Sequence, residues 1–148
     1  MSDAQREARL TRADFRHFEP IATRWADNDV YGHVNNVVYY SFFDTAVNRL
    51  LVERGALDIA NSETVGLVVA NSCTFFESVA FPETIDVGMR IERLGRSSVT
   101  YELAVFRAGG EAAAAQGRFT HVYVTRADQR PTPIPQAVLG VLEGLRRR

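Results

Sequence analysis

Residues 27–39 read Asp-Asn-Asp-Val-Tyr-Gly-His-Val-Asn-Asn-Val-Val-Tyr, and a long apolar helical pattern follows at once. Two carboxylates, Asp27 and Asp29, stand just ahead of a glycine and of the pair Asn35-Asn36. Either asparagine is a favourable helix cap. The first N–H groups of a helix and the positive end of its dipole attract an anion. The stretch therefore predicts an acid or base beside a helix N-terminus, which is suited to polarising a carbonyl group and delivering water to it.

Apolar periodicity around this stretch predicts a mixed α and β domain. A helix is expected from the asparagine pair to Arg54, and it is apolar on most sides, so it must be wrapped by other elements. Alternation and apolar runs predict five strands and a short terminal helix. These lie at Phe15–Trp25, Val65–Phe76, Thr84–Leu94, Ser98–Arg107, Glu111–Thr125 and, for the helix, Gln136–Arg148. Long strands suit a sheet that curls around a helix, and its free edges favour a dimer or higher oligomer as cover.

Composition excludes several classes of function. The chain has 148 residues, of which 46% are hydrophobic and 24% charged, and a net charge of −1 gives no basic field for nucleic acid. All 17 basic residues are arginine, which excludes Schiff-base and phosphate-loop lysines. The single Cys73 cannot form an internal disulfide and favours a reducing, cytoplasmic setting. No segment is apolar for long enough to suggest a membrane span.

The chain is expected to divide into an N-terminal arm, residues 1–14, and one domain, residues 15–148. The arm is charged throughout, which argues against a secretory signal and favours a mobile or loosely docked segment.

Other motifs fail on their spacing. Asp27-Asn28-Asp29 with Gly32 imitates the start of a calcium loop, but Tyr31 and Val38 occupy two ligand positions. The serines after Gly95 lack the second glycine of a nucleophile elbow. No metal-ligand spacing relates the three histidines, which are His17, His33 and His121.

The motif Asp27-x-Asp29-x-x-Gly32-His33-Val34-Asn35-Asn36-x-x-Tyr39, preceded by Arg24-Trp25 and followed by Phe43-Asp44, resembles the signature of hotdog-fold acyl-CoA thioesterases. The branch it resembles is the 4-hydroxybenzoyl-CoA thioesterase-like group. Residues 95–98 and 130–135 resemble further segments of that group, so the resemblance covers most of residues 15–145. It implies an α+β hotdog fold, in which a curved five-stranded antiparallel sheet wraps a long central helix.

The same resemblance implies an oligomeric state, a substrate and the absence of a separate cofactor. Members of this family form dimers that often pair into tetramers, with active sites at subunit interfaces, and they need no metal. The expected partner is an acyl-CoA substrate, of which coenzyme A is a part, and no separate cofactor, nucleic acid or membrane is implied. An acyl-carrier-protein thioesterase and a non-catalytic module that binds acyl thioesters remain alternatives.

Carried over by position, the resemblance assigns three catalytic residues. Asp29, three positions before the motif glycine, matches the catalytic aspartate, as nucleophile or as general base. A backbone N–H at or next to Asn36 would polarise the thioester carbonyl. Gly32 would let the chain turn and the substrate approach the backbone closely.

Substrate contacts are expected from a second group of residues. His33 would orient the loop or line the thioester channel, and Tyr39 would pack in the core, within reach of substrate. An acyl pocket is expected from Tyr31, Val38, Phe42 and Phe76. Arg96 and Ser98 are candidates for the coenzyme A nucleotide, ahead of Arg90 and Arg93. Asp27 is interpreted as structural, and Asp44 as facing a partner subunit or solvent.

Overall fold

The computed structural model describes residues 7–146. The elements are β1 His17–Ala22, α1 Val38–Glu53, β2 Thr64–Phe75, β3 Thr84–Leu94, β4 Ser98–Arg107, β5 Ala115–Thr125 and α2 Gln136–Glu143, with 3-10 turns at Arg12–Asp14 and Trp25–Asp27. All five predicted strands and both predicted helices are present. The bounds of β3 and β4 agree with the prediction because clean alternation marks both ends of each strand.

The five strands form one antiparallel sheet in the order β1-β3-β4-β5-β2. β1 ends before the predicted Trp25, since the backbone N–H of Arg24 donates to a carboxylate oxygen of Asp27 and the chain turns there. β5 begins at Ala115, later than the predicted Glu111. In the stretch before Ala115, the N–H of Ala113 donates to the carbonyl of Leu10 in the N-terminal arm.

α1 lies against the inner face of this sheet and forms the core. Phe43, Ala46 and Val47 of the helix are fully buried, as are Val87 and Leu103 of the sheet. Burying a large apolar side chain contributes about 2 kcal/mol relative to exposure. This is the hotdog arrangement that the resemblance implied, with one curved antiparallel sheet wrapped around one long helix.

The predicted cap of α1 is wrong by one or two residues. The helix begins at Val38, and Val37 occupies the cap position without a side-chain hydrogen bond. Asn35 still shapes this end, since its Oδ1 accepts the N–H of Val37 at 3.1 Å. That Asx turn places the residue between them, Asn36, at the entrance to the helix.

Residues 7–14 are packed against the sheet and are not the loosely docked segment that was predicted. Arg9 Nε donates to the carbonyl of Ala113 at 2.7 Å, and the N–H of Leu10 donates to Gln116 Oε1 at 2.8 Å. Arg12 Nε donates to the carbonyl of Gly110 at 2.6 Å. The first six residues of the predicted arm, and the last two of the predicted terminal helix, lie outside the described residues.

β2 is an edge strand with an exposed apolar centre. Leu67, Val68 and Val69 are 39%, 43% and 59% exposed, and its far side has no neighbour among residues 7–146. An apolar edge of this length is a template for pairing with another strand. Within the described chain, every helix is too short or too polar to cross a lipid bilayer.

Candidate active site

The loop between β1 and α1 is anchored by Asp27. Its side chain is almost fully buried and accepts the backbone N–H of Arg24 at 2.7 Å and the guanidinium of Arg24 at 2.8 Å. Its carbonyl accepts the N–H of Asn35 at 2.9 Å. These bonds give Asp27 the structural role expected of it, because they close the loop on itself and set where α1 begins.

Asp29 occupies a tight turn that Gly32 completes. Gly32 has a φ of +85°, a conformation that favours glycine, and its N–H donates to the carbonyl of Asp29 at 3.1 Å. The carboxylate Oδ1 of Asp29 accepts the N–H of Tyr31 at 2.9 Å, while Oδ2 lies 3.5 Å from Nδ1 of His33. The side chain of Asp29 is 16% exposed, so it is held in place yet open to a reactant.

The backbone N–H of Asn36 has no hydrogen-bond partner within residues 7–146. The N–H groups that follow it are occupied, since Val37 donates to Asn35 Oδ1 and Val38 to the Asn35 carbonyl. Asn36 lies at the positive end of α1, a helix of 16 residues. A single free donor there is suited to an oxygen that develops negative charge.

Asn36 opens onto a cavity of about 260 Å³ beside the helix N-terminus. The cavity is lined by His33, Val34, Asn36, Tyr39, Phe75, Phe76, Glu77 and Ser78. Tyr39 is buried, its ring meets that of Phe75 edge to face at 4.9 Å, and burial raises the pKa of its phenol. The walls therefore combine apolar side chains with polar and charged residues, which are His33, Asn36, Glu77 and Ser78.

His33 connects Asp29 to this cavity. Asp29 does not itself line the cavity in one chain, whereas His33 does, and the two side chains approach at 3.5 Å. Nδ1 of His33 also lies 3.3 Å from the Val34 carbonyl, so its hydrogen bond fixes the ring beside the carboxylate. The structure thus brings together Asp29, His33, Asn36 and Tyr39.

Within one chain the four residues expected in the acyl pocket do not line a common cavity. Tyr31 is 81% exposed and stacks on His33 with the ring centroids 6.2 Å apart. Phe42 is buried in the core, and Val38 packs against that core. Of the four expected residues only Phe76 lines the cavity at Asn36, although the ring of Phe42 lies 5.7 Å from that of Tyr39, which also lines it.

Arg96 and Ser98 lie at the other end of the sheet from Asn36. Ser98 pairs with Val122 of β5, whereas Val105, farther along β4, pairs with Ala115, the neighbour of Phe75. The spacing of strand residues separates these two rows by roughly 20 Å. Within one chain the structure therefore does not bring Arg96 and Ser98 to the cavity. Arg90 is engaged by Glu102 and by the ring of Phe15.

A larger cavity, of about 500 Å³, lies between the middle of α1 and the start of β2, and sequence reasoning missed it. It is lined by Asp44, Thr45, Asn48, Leu51, Ala56, Leu57, Ile59, Thr64, Val65, Gly66, His121, Tyr123, Arg126 and Val138. Buried His121 and Tyr123 follow Phe119 at every second position of β5, an inward-facing pattern that was available as a signal. Asp44, which was expected to face a partner subunit or solvent, is exposed and also lines this cavity.

Residues 7–146 contain neither a group of metal ligands nor a cysteine with a lowered pKa. No group of three or more histidine, cysteine or acidic side chains in residues 7–146 could hold a metal ion. Burial raises the pKa of Cys73 to about 12, so its thiol stays protonated at neutral pH. A thiol that stays protonated is a poor nucleophile, so Cys73 is not a candidate catalytic residue.

Comparison with known proteins agrees with this architecture. The model of the thioesterase-like superfamily matches residues 23–142. The PA5185 protein of Pseudomonas aeruginosa is 56% identical, with a TM-score of 0.92 over 95% of this chain and 98% of that one. Slr0204 of Synechocystis, a 1,4-dihydroxy-2-naphthoyl-CoA thioesterase, shares the fold at 17% identity, with a TM-score of 0.76 over 86% of this chain and 96% of its own.

A relative of known sequence matches over a shorter stretch. YsmA of Bacillus subtilis is 24% identical over 89 residues, and the match spans 60% of this chain and 60% of that protein. The family model, in contrast, covers the loop, α1 and four of the five strands, β2 to β5. The chain therefore belongs to the thioesterase-like superfamily.

Proposed function

We propose that the protein hydrolyses an acyl-CoA thioester to a free carboxylic acid and coenzyme A. The observation that carries this proposal is the unpaired N–H of Asn36, a residue at the head of α1 that lines a cavity. Membership of the thioesterase-like superfamily supports thioester hydrolysis as the reaction class. The retained carboxylate at Asp29 favours an enzyme over a module that only binds thioesters.

The thioester carbonyl oxygen would accept the Asn36 N–H. As a nucleophile adds to the carbonyl carbon, negative charge grows on that oxygen, and a preorganised donor stabilises it by about 3–4 kcal/mol. The helix dipole adds to this stabilisation because the amide lies at its positive end. The buried ring of Tyr39, with the ring of Phe75 against it, would lower the dielectric constant beside the amide, which strengthens the interaction.

Asp29 would supply the nucleophile in one of two ways. As a general base it would take a proton from water while the oxygen of that water bonds to the carbonyl carbon. The intermediate would then collapse with cleavage of the C–S bond, and the proton would pass to the departing thiolate. As a nucleophile it would form a mixed anhydride and release the thiolate, and water would then hydrolyse the anhydride. His33, at 3.5 Å, would position the carboxylate in either route.

Pairing of β2 with the same strand of a partner subunit would form a dimer in which this site is completed. Antiparallel pairing around Val69 would cover the exposed apolar edge. It would also place the Thr64 end of one strand beside the Phe75 end of the other. Arg96 and Ser98 of one subunit would then approach the Asn36 cavity of its partner, where they would be placed to meet the coenzyme A nucleotide. Two such dimers would form the expected tetramer.

Purified protein should be assayed with a panel of aromatic, short-chain and long-chain acyl-CoAs, with a thiol reagent reporting released coenzyme A. Wild type is expected to hydrolyse at least one of them, and Asp29→Asn is expected to lower kcat at least 100-fold with an unchanged melting temperature. Asp128→Asn, in an exposed loop, is the matched control. If Asp29→Asn turned over substrate as fast as wild type, Asp29 would not be a catalytic residue.

The same panel should include an acyl group attached to acyl-carrier protein. A higher kcat/KM for the carrier-protein thioester than for the acyl-CoA would favour the alternative donor. Binding of acyl-CoA without release of thiol would favour the non-catalytic module.

A further inference from the structure

The N-terminal arm contacts the wall of the Asn36 cavity through one side chain, that of Arg9. Phe76 and Glu77 line this cavity. The guanidinium of Arg9 forms an ion pair with the Glu77 carboxylate, and its Cζ lies 5.4 Å from the centroid of the Phe76 ring. The Nε of the same side chain donates to the carbonyl of Ala113 at 2.7 Å. Arg9 thus joins two wall residues to the segment that precedes β5.

Backbone hydrogen bonds attach the arm and the cavity wall to the same place. The carbonyl of Ala114 accepts the N–H of Phe76 at 2.8 Å and the N–H of Glu77 at 3.0 Å. The N–H of the preceding residue, Ala113, donates to the carbonyl of Leu10 at 2.9 Å. Because the arm and the wall share these two neighbouring attachment points, a change in the arm is felt at the wall.

The wall segment in turn holds the loop that carries Asp29 and Asn36. Two residues after Glu77, the carbonyl of Val79 accepts the N–H of Val34 at 2.8 Å. Val34 lies between Asp29 and Asn36 in the loop, and both valines are buried, so water does not readily replace this hydrogen bond. The position of the loop therefore depends on the segment that Arg9 contacts.

The Glu77 carboxylate has no equivalent substitute for Arg9. Arg107 lies 3.7 Å from it, but the Nε of Arg107 already donates to Glu83 at 2.7 Å. The side chains of Arg9 and Glu77 are 36% and 42% exposed, and an ion pair this exposed contributes little to the stability of a whole fold. Loss of Arg9 should therefore act on the wall locally and leave the core intact.

We propose that Arg9 is a positioning residue of the candidate active site, which holds the wall formed by Phe76 and Glu77 in the shape that receives the thioester. Its effect on catalysis rests on the proposed thioesterase function of the Asn36 cavity. The proposal adds the N-terminal arm to the functional site, although Arg9 lies before residues 23–142, the part of the chain that matches the family model.

Steady-state kinetics of Arg9→Met on an acyl-CoA that wild type hydrolyses tests this role. KM is expected to rise about 10-fold while kcat changes less than about threefold, because the wall contributes to binding and not to the chemical step. Arg9→Lys keeps the positive charge beside Glu77 and should restore most of the affinity. Glu77→Gln should raise KM as Arg9→Met does, and the double variant should be no worse than either single variant, since the two residues act as a pair.

Glu7→Gln is the matched control. Glu7 also belongs to the arm, and its Oε1 lies 2.6 Å from Nη1 of Arg118 in an ion pair of similar exposure. Neither residue of that pair lines the Asn36 cavity. This variant weakens the docking of the arm without removing a contact of the wall, so its KM should equal that of wild type.

Amide hydrogen exchange tests the positioning without turnover. In Arg9→Met the amides of Phe76, Glu77 and Val34 are expected to exchange about 10-fold faster than in wild type, since all three donate to carbonyls in or beside the wall. The amides in the middle of β3 and β4 should keep their rates. Glu7→Gln should leave all of these rates unchanged.

The outcomes separate the role of Arg9 from the thioesterase. An unchanged KM in Arg9→Met, additive losses in the double variant, or an equal rise of KM in Glu7→Gln would overturn the positioning role and leave the hydrolase standing. If no acyl-CoA is hydrolysed, the thioesterase proposal fails and amide exchange decides alone. Faster exchange of the three amides in Arg9→Met would then support the positioning role, and unchanged exchange would overturn it.

Discussion

The carboxylate Oδ2 of Asp29 lies 3.5 Å from Nδ1 of His33, and His33 lines the same cavity as Asn36. His33 is thus the side chain that joins the proposed acid–base group to the proposed oxyanion donor. All three residues lie on one loop, and Asp27 anchors it by accepting the backbone N–H groups of Arg24 and Asn35. Their relative positions therefore depend on these hydrogen bonds and not on side-chain packing alone.

His33 is expected to be a positioning residue. His33→Ala should lower kcat about 10-fold, a smaller loss than Asp29→Asn, because the carboxylate keeps its bond from the Tyr31 N–H. KM should change much less than kcat, since the imidazole holds Asp29 and not the nucleotide. Steady-state kinetics on an acyl-CoA that wild type hydrolyses would measure both. A 100-fold loss equal to that of Asp29→Asn would instead give His33 a direct chemical role.

Gly117 is expected to be indispensable for the β2–β5 pairing. A Cβ there would lie 1.9 Å from the Ser72 carbonyl oxygen and 3.1 Å from the Phe43 ring, so the strands would have to separate. Gly117→Ala should lower the free energy of unfolding by at least about 3 kcal/mol, measured by urea denaturation. The control is Gly140→Ala in α2, where nothing lies within 4 Å of an added Cβ and helix propensity predicts a gain of up to about 1 kcal/mol. Equal effects of the two substitutions would contradict the close approach at Gly117.

Stability should fall below pH 6.5 because of His121. Burial lowers its pKa from 6.5 to about 4, so between these values the unfolded chain binds a proton that the folded protein does not. Protonation then favours unfolding, and this site alone should remove up to about 3 kcal/mol between pH 7 and pH 4.

The measurement is urea unfolding at pH 7.0, 5.5 and 4.5 for wild type and His121→Leu. The variant should lose less stability than wild type as the pH falls, since it has no imidazole to protonate. Parallel losses in the two proteins would show that His121 titrates with an ordinary pKa.

The exposed centre of β2 is expected to form the dimer. Val69→Lys should convert dimers or tetramers to monomers in light scattering, because a buried lysine in the paired edge would have no counter-ion from its own symmetric copy. Activity should fall with dissociation if the site is shared between subunits. Val52→Lys, on the exposed side of α1, should leave the mass unchanged. A wild-type monomer with full activity would contradict the shared site.

Local patterns account for what the sequence could predict. Alternation of apolar and polar residues predicts both ends of β3 and of β4 correctly, and the apolar run after Asn36 predicts α1. Each of these patterns reflects which side of a single element is buried. The loop could be interpreted from its own residues too, since Asp27, Asp29 and Gly32 bond to neighbours only a few positions away.

Features that depend on distant segments were not predictable in this way. The docking of Arg9 and Leu10 joins them to Ala113 and Gln116 about a hundred positions later. The large cavity was missed for a similar reason. Periodicity places His121 on the buried face of β5, but whether the space beside it is filled depends on Gly66 and on α1, which meet only in the folded chain.

The amide resonance of Asn36 reports whether this N–H donates to the thioester carbonyl. In ¹⁵N-labelled Asp29→Asn protein, an intact acyl-CoA that wild type hydrolyses can be bound without turnover. We expect a downfield shift of the Asn36 amide proton as it donates to the thioester oxygen, while the amides of Val37 and Val38, already bonded, move little. An Asn36 amide proton that stays unshifted at saturating acyl-CoA would show that this N–H is not the oxyanion donor.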